Sequence, residues 1–266
     1  MSTETNPLTA PAPEEVPLPR APLVRVIAQV RFSSILAVRQ AEFIAAFQET
    51  IRADYPILHR EHELLLSPQG VATAEPQVVW RFTTEAEDAW RVSLTPDFVA
   101  LETTAYTSRS DLIRRMEGIL EAVEEHLRPE VAVRVGLRYI DRVTGQELDH
   151  IGDLVRPDIL GIVNTPLFEH AEQELSNALL NVPGADDEKI RARWGHLPAD
   201  VTVDPHAIEP IGERSWILDL DMFSTEQRPF EAEALARDLE RFAERIYTVF
   251  RWAVTGEFLR RYGGTP

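Results

Sequence analysis

The chain has no cysteine in its 266 residues, which excludes disulfides, thiolate nucleophiles and zinc–cysteine centres together. Lysine is almost as scarce: Lys189 is the single lysine among 27 basic residues. That bias reads as the codon usage of a GC-rich bacterial genome. Positive charge as a whole is short, with a formal net charge of −17. This argues against broad contact with nucleic acid, which needs phosphate-neutralising cations, and against docking on an anionic membrane surface. Twelve glycines are present, none in a GxGxxG or GxxxxGK[ST] arrangement, so standard nucleotide loops are absent and no cofactor is expected. No apolar run approaches the roughly 20 residues of a membrane span. The first residues lack the charged start and apolar core of a secretory signal. The cytoplasm is the default location.

What is present is an ordinary globular composition, 44% hydrophobic and 27% charged, in a chain long enough for one large domain or two small ones. Six prolines between Pro7 and Pro22 come with few large apolar side chains. Residues 1–22 therefore read as a flexible tail that cannot offset its ordering entropy, unless it lies on a partner. Val24, Val26, Ala28, Val30 and Phe32 then alternate with Arg25, Gln29 and Arg31 as a half-buried strand does. Phe43, Ile44, Phe47 and Ile51 recur at helical spacing, and Pro56 ends that helix. Leu64–Leu66, Val78–Phe82, Trp90–Leu94 and Phe98–Ala105 form a predicted meander, with turns at Gly70 and Pro96-Asp97. Ser108 or Ser110 caps the next helix, which ends at Pro129.

A second run repeats this order. Val131, Val133, Val135, Leu137 and Tyr139 share one face of a strand, and Arg134, Arg138 and Arg142 share the other. Helical stretches over 151–162 and 166–181, a polar loop over 183–198, strands at Val201–Val203 and Trp216–Phe223, and a long helix from Pro229 follow. Val24-Arg25-Val26 and Val133-Arg134-Val135 lie 109 residues apart, and Phe98–Tyr106 matches Ser215–Phe223. The fold class expected is α+β: two tandem β-α-β-β-(β)-α units, pseudo-duplicated, their antiparallel sheets each covered by a long helix. The domains are the tail 1–22, a first half 23–129 and a second half 130–266.

The stretch Val135-Gly136-Leu137-Arg138-Tyr139-Ile140-Asp141-Arg142 and the stretch from Asp97 to Arg109 resemble two signatures of a sporadically distributed bacterial family of similar length. The resemblance covers about residues 20–262. It implies a shared fold and carries no catalytic residues. Some similar proteins look like accessory peptide binders in ribosomal-peptide natural-product pathways, which implies a peptide partner.

Four constellations bear on function. Arg134, Arg138 and Arg142 lie roughly 13 Å apart along their strand. They either line a groove for an extended acidic peptide or form a solvated face with cross-strand ion pairs. Glu102, Asp219 and Asp221 either do acid/base work or hold a cation, or they pair with those arginines. His59-Arg60-Glu61-His62-Glu63 lacks the spacing of a zinc helix and reads as a polar turn. Tyr106 and Tyr139 are candidate anchors for a peptide. No metal site is expected, and no Ser/His/Asp triad can be argued from order alone. The reading that results is a non-enzymatic binding or accessory protein receiving a peptide or protein at a groove or sheet edge between the halves. The alternatives are an antitoxin-type partner of a basic toxin and an enzyme with an unrecognised carboxylate site. An uncovered edge strand would also pair with its twin to give a homodimer.

Overall fold

A computed structural model describes residues 5–63, 77–85, 89–185 and 187–265. The strands are β1 (Leu23–Phe32), β2 (Ile57–Glu63), β3 (Gln77–Thr83), β4 (Trp90–Leu94), β5 (Phe98–Thr103), β6 (Val131–Thr144), β7 (Glu174–Asn181), β8 (Glu188–Leu197), β9 (Ser215–Ser224) and β10 (Arg228–Pro229). The helices are α1 (Ala41–Ile51), α2 (Arg109–His126), the single turns α3 (Gly145–Leu148) and α4 (Ile151–Leu154), α5 (Ala232–Ala253) and α6 (Gly256–Arg261). The strands make one ten-stranded antiparallel sheet in the order β2-β3-β4-β5-β1-β6-β9-β8-β7, with β10 beside β6.

This sheet overturns the expectation of two helix-covered β-α-β-β units. β1 and β6 occupy neighbouring central positions in a single strand order, and β6 runs unbroken for 14 residues. The apparent duplication fails over residues 166–198, where a helix and a loop were expected and a hairpin, β7–β8, stands instead. Leu167, Ala171, Leu175 and Leu179 recur every four residues and imitate a helical face. They do so because burial does not constrain them: Leu167, Leu175 and Leu179 are 66%, 39% and 54% exposed. A strand whose covered side carries Glu174, Ser176 and Ala178 and whose leucines point to solvent carries no apolar alternation. Residues 151–162 hold only single turns, and Val201–Val203 is irregular backbone. The expected strand Leu64–Leu66 and turn at Gly70 lie outside the described residues. His59–Glu63, expected as a turn, is part of β2, paired with β3.

The chain divides into two compact units. One comprises Ile27–Gly136 and Ser224–Glu240. Here β2 to β5 form a meander, with Trp80 opposite Leu94 and Val92 opposite Leu101. Phe47 of α1 packs edge-on against Phe82 of β3, ring centroids 5.6 Å apart. The buried Trp80 Nε1 donates to the Val38 carbonyl at 2.7 Å. Ser108 caps α2 by accepting from the Asp111 N–H at 3.1 Å, and α2 buries Leu112, Met116, Ile119, Leu120 and Val123.

The other unit comprises Met1–Val26, Leu137–Phe223 and Arg241–Pro266. It holds the β7–β8 hairpin, α6 and the C-terminal part of α5. Its proline-rich segment lies along those helices. None of residues 5–22 is buried, yet their backbone is tethered. Arg245 Nη1 donates to the Pro7 and Ala10 carbonyls at 2.9 and 2.7 Å. The Val16 N–H donates to the Tyr247 hydroxyl at 2.8 Å, and Arg251 Nη1 donates to the Glu14 carbonyl at 3.1 Å.

Candidate functional site

The residues with the strongest mutual geometry lie in the unit that contains the hairpin. Alternation along β6 puts Arg138 and Arg142 on one side of the sheet. Asp219 of β9 is 1% exposed and receives two guanidiniums. Arg138 donates from Nε to Oδ1 at 2.8 Å and from Nη2 to Oδ2 at 3.0 Å. Arg193 of β8 donates from Nε to Oδ2 at 2.8 Å. Arg138 Nη1 reaches Asp204 Oδ2 at 2.7 Å. Two arginines and two aspartates thus form a closed, charge-balanced cluster, the condition under which buried ions persist. Burial alone would lower the Arg138 pKa, but hydrogen bonds and charge from Asp219 and Asp204 outweigh it, and the net shift is upward. Burial likewise pushes Asp204 up, and Arg138 outweighs it and holds the carboxyl below its usual range.

The loop that carries Asp204 lies over this arginine face. Arg25 Nε donates to the Ala207 carbonyl at 3.1 Å, Arg142 Nη2 to the Glu209 carbonyl at 2.8 Å, and Arg193 Nη1 to the Val203 carbonyl at 3.4 Å. Residues 203–209 therefore take up the donors that a peptide in an arginine groove would use. Burial lowers the Arg142 pKa, and its Nε is buried without a hydrogen-bond partner.

The remaining candidates divide between the units. Asp221 and Tyr139 lie half-buried on β9 and β6 of the same unit as Arg138. Arg134, Glu102 and Tyr106 belong to the other unit. There Arg134 donates to Gln29 Oε1 at 3.2 Å and folds back over Gly136, where a Cβ would stand 2.5 Å from its Nη1. Glu102 accepts from Arg91 Nε at 2.7 Å and from the Ser93 hydroxyl at 3.3 Å. Tyr106 follows β5 and is half-buried. Both strongly placed carboxylates, Glu102 and Asp219, are thus engaged by arginines.

Three features escaped the sequence reading. The first is Asp141, inside the Val135–Arg142 signature. It sits on the apolar side of β6 with Leu137 and Val143, 7% exposed, and burial raises its pKa to about 7. Its charge is felt by Tyr262, whose phenol burial pushes up to about 12 with help from Glu147 and Asp141. The second is Glu174, paired across the hairpin with His196. Burial raises the Glu174 pKa against a hydrogen bond from Ser176 and one from the His196 backbone. Burial and the Arg214 charge lower His196 to about 4. Glu174 Oε2 and His196 Nδ1 are both buried without hydrogen-bond partners. Gly161 and Gly195 make room for Glu174, both at positive φ.

The third feature is β7 itself. It ends the strand order, pairing among the described residues with β8 alone. Cross-strand partners share a face. The register puts Glu174, Ser176, Ala178 and Leu180 with His196, Trp194, Ala192 and Ile190, the side on which His196, Ala192 and Ile190 are buried. The other side carries Leu175, Asn177, Leu179 and Asn181 beside Gly195, Arg193, Arg191 and Lys189. Arg193 is committed to Asp219, whereas Lys189 and Arg191 make no ion pair among the described residues. Edge strands are ordinarily guarded by charge. β2 at the opposite end has Arg60, Glu61 and Glu63, while β7 has Glu174 alone, turned to the buried side.

No protein-family model matches the chain, and no curated protein matches it. Among the described residues no group of histidines and carboxylates is placed to hold a metal ion, and no helix is long and apolar enough to cross a membrane.

Proposed function

We propose that this protein is a non-enzymatic binding or accessory protein whose outer strand, β7, receives an extended segment of a peptide or protein partner. The observation that carries the reading is the open side of the hairpin, with Leu175 and Leu179 exposed on an edge strand and, one strand away, Lys189 and Arg191 without an ion pair among the described residues. Strand addition uses such an edge: main-chain hydrogen bonds supply affinity, and alternate side chains supply selectivity. The partner that fits is an extended chain alternating apolar residues, over the leucines, with acidic ones, toward Lys189 and Arg191.

The net charge of −17 works against an acidic partner at long range. At about 0.15 M salt the Debye length is about 8 Å, so the local cations govern at contact while the overall charge slows encounter. A second copy of the chain fits less well. Its only β7 acid, Glu174, lies on the buried side and cannot reach Lys189 or Arg191 when the two sheets run on continuously. The proposed setting is the cytoplasm, with a small peptide of a ribosomal-peptide pathway as the partner class that the family resemblance implies.

The test is binding to a panel of peptides encoded by neighbouring genes, each measured against the parent chain and a Leu175→Asp/Leu179→Asp double variant. Saturable binding lost in the variant supports the reading. No affinity across the panel, or affinity unchanged in the variant, contradicts it.

A further inference from the structure

We propose that the C-terminal turns of α5, α6 and the Gly263-Gly264 pair form a seat for an extended proline-rich peptide. Residues 7–20 occupy that seat in cis, and a proline-rich segment supplied in trans displaces them.

The seat addresses backbone. Arg245 holds the Pro7 and Ala10 carbonyls and Arg251 the Glu14 carbonyl. The Tyr247 hydroxyl donates to the Glu14 carbonyl at 3.3 Å and accepts the Val16 N–H. Farther on, the Arg20 N–H and Nη2 donate to the Tyr262 and Arg261 carbonyls at 3.2 and 2.6 Å. Pro7 and Ala10 lie in a hydrogen-bonded turn and residues 19–20 in another, while residues 11–18 between them run extended, and an extended polyproline II stretch leaves its carbonyls free because it makes no internal hydrogen bonds. Prolines also lower the entropy lost on docking.

Tyr247 and Tyr262, which bond the segment, belong to one row of ring contacts, and the end of the seat is made of glycine. Tyr247, Phe250, Phe258 and Tyr262 form a continuous chain of ring contacts at 6.1, 5.6 and 4.6 Å. A Cβ at Gly264 would stand 2.6 Å from Val16 and 2.7 Å from Leu18, and one at Gly263, at φ +90°, 3.3 Å from Pro19. A side chain at either glycine would push Val16, Leu18 or Pro19 off this surface. None of residues 5–22 is buried; over residues 7–16 the segment is held by hydrogen bonds of its backbone, and farther on Val16, Leu18 and Pro19 rest on the glycines and Arg20 adds a side-chain bond. That makes it exchangeable for another chain of the same shape.

The absence of cysteine allows one spin label to be placed at Ala12→Cys, an exposed position, in the full-length chain. The expected result is a restricted label in the parent. The label becomes mobile in the Arg245→Ala/Arg251→Ala variant and on adding excess peptide with the sequence of residues 5–22. A glycine–serine peptide of equal length leaves it restricted. Val16→Pro removes one N–H from the segment and leaves the seat intact. It should raise the affinity for the added peptide about tenfold, the equivalent of one hydrogen bond, and keeps the test informative if the arginine variant folds poorly. A label equally mobile in parent and variant overturns the proposal. So does a label that stays restricted at saturating peptide. A concentration-dependent dimer whose label is freed on dilution would put a second copy's segment in the seat and overturn the cis assignment.

Discussion

Arg138 and Asp219 meet through two parallel hydrogen bonds, Nε to Oδ1 at 2.8 Å and Nη2 to Oδ2 at 3.0 Å, with the carboxylate 1% exposed. The pair is bidentate, the strongest arrangement open to these groups, and Arg193 completes it from β8. It fixes what the arginine face does. The guanidiniums hold β6, β8, β9 and the 203–209 loop of their own chain together.

Asp219→Ala should therefore be among the most damaging single changes in the molecule. It leaves two half-buried guanidiniums without their shared anion, a loss of about 3–5 kcal/mol. In a chain of this size that lowers the melting temperature by roughly 10 °C. Asp221→Ala, on a half-exposed carboxylate of the same strand, should cost far less. Thermal denaturation of the two variants side by side checks the contrast, and equal losses would argue against the cluster.

Asp141 gives stability a pH dependence of defined sign. Its folded pKa of about 7 lies above its unfolded value of about 3.9, so the folded state binds the extra proton between those limits. Stability from this group is full below about pH 4 and is lost as pH rises toward 7. Asp141→Asn should raise stability at pH 8 by on the order of a few kcal/mol. His196, depressed to about 4, has the opposite sign: its contribution is present above about pH 6.5 and is lost as pH falls toward 4. With Asp141 removed, stability should climb from pH 4 to 6.5. These two slopes nearly cancel in the parent between about pH 4 and 6.5, so urea melts across pH 4–8 decide the matter, and an Asp141→Asn profile as flat as the parent's over that range would remove Asp141 as a contributor.

Gly195→Ala tests the hairpin. A methyl group there would collide with the Glu174 carbonyl, and φ is +143°. The expected cost is more than about 2 kcal/mol, whereas Gly184→Ala, also at positive φ but in open space, should cost less. Chemical denaturation of both variants measures the difference, and a mild Gly195→Ala would mean that β7 does not hold this register.

The central strands were legible because burial writes alternation into sequence. Val26, Ala28, Val30 and Phe32 are all buried on β1, and α1, α2 and their cap lie where spacing and Ser108 put them. β7 was not legible for the complementary reason: Leu175 and Leu179 lie on its exposed side, where burial does not stop them falling at helical intervals. Arg138 and Asp219 were singled out from their strands alone. Asp204 was not, since it reaches them from irregular backbone that no periodicity marks. Glu174 and His196 are 22 residues apart and become neighbours only through the hairpin register.

Hydrogen exchange at β7 tests the proposed function most directly, using a synthetic peptide of alternating valine and glutamate as the probe. The account predicts slower exchange of amides in Glu174–Asn181 on saturation, with affinity reduced about tenfold or more by Lys189→Glu/Arg191→Glu through like-charge repulsion. Protection confined to other strands, no binding at all, or binding indifferent to the charge reversal would contradict it.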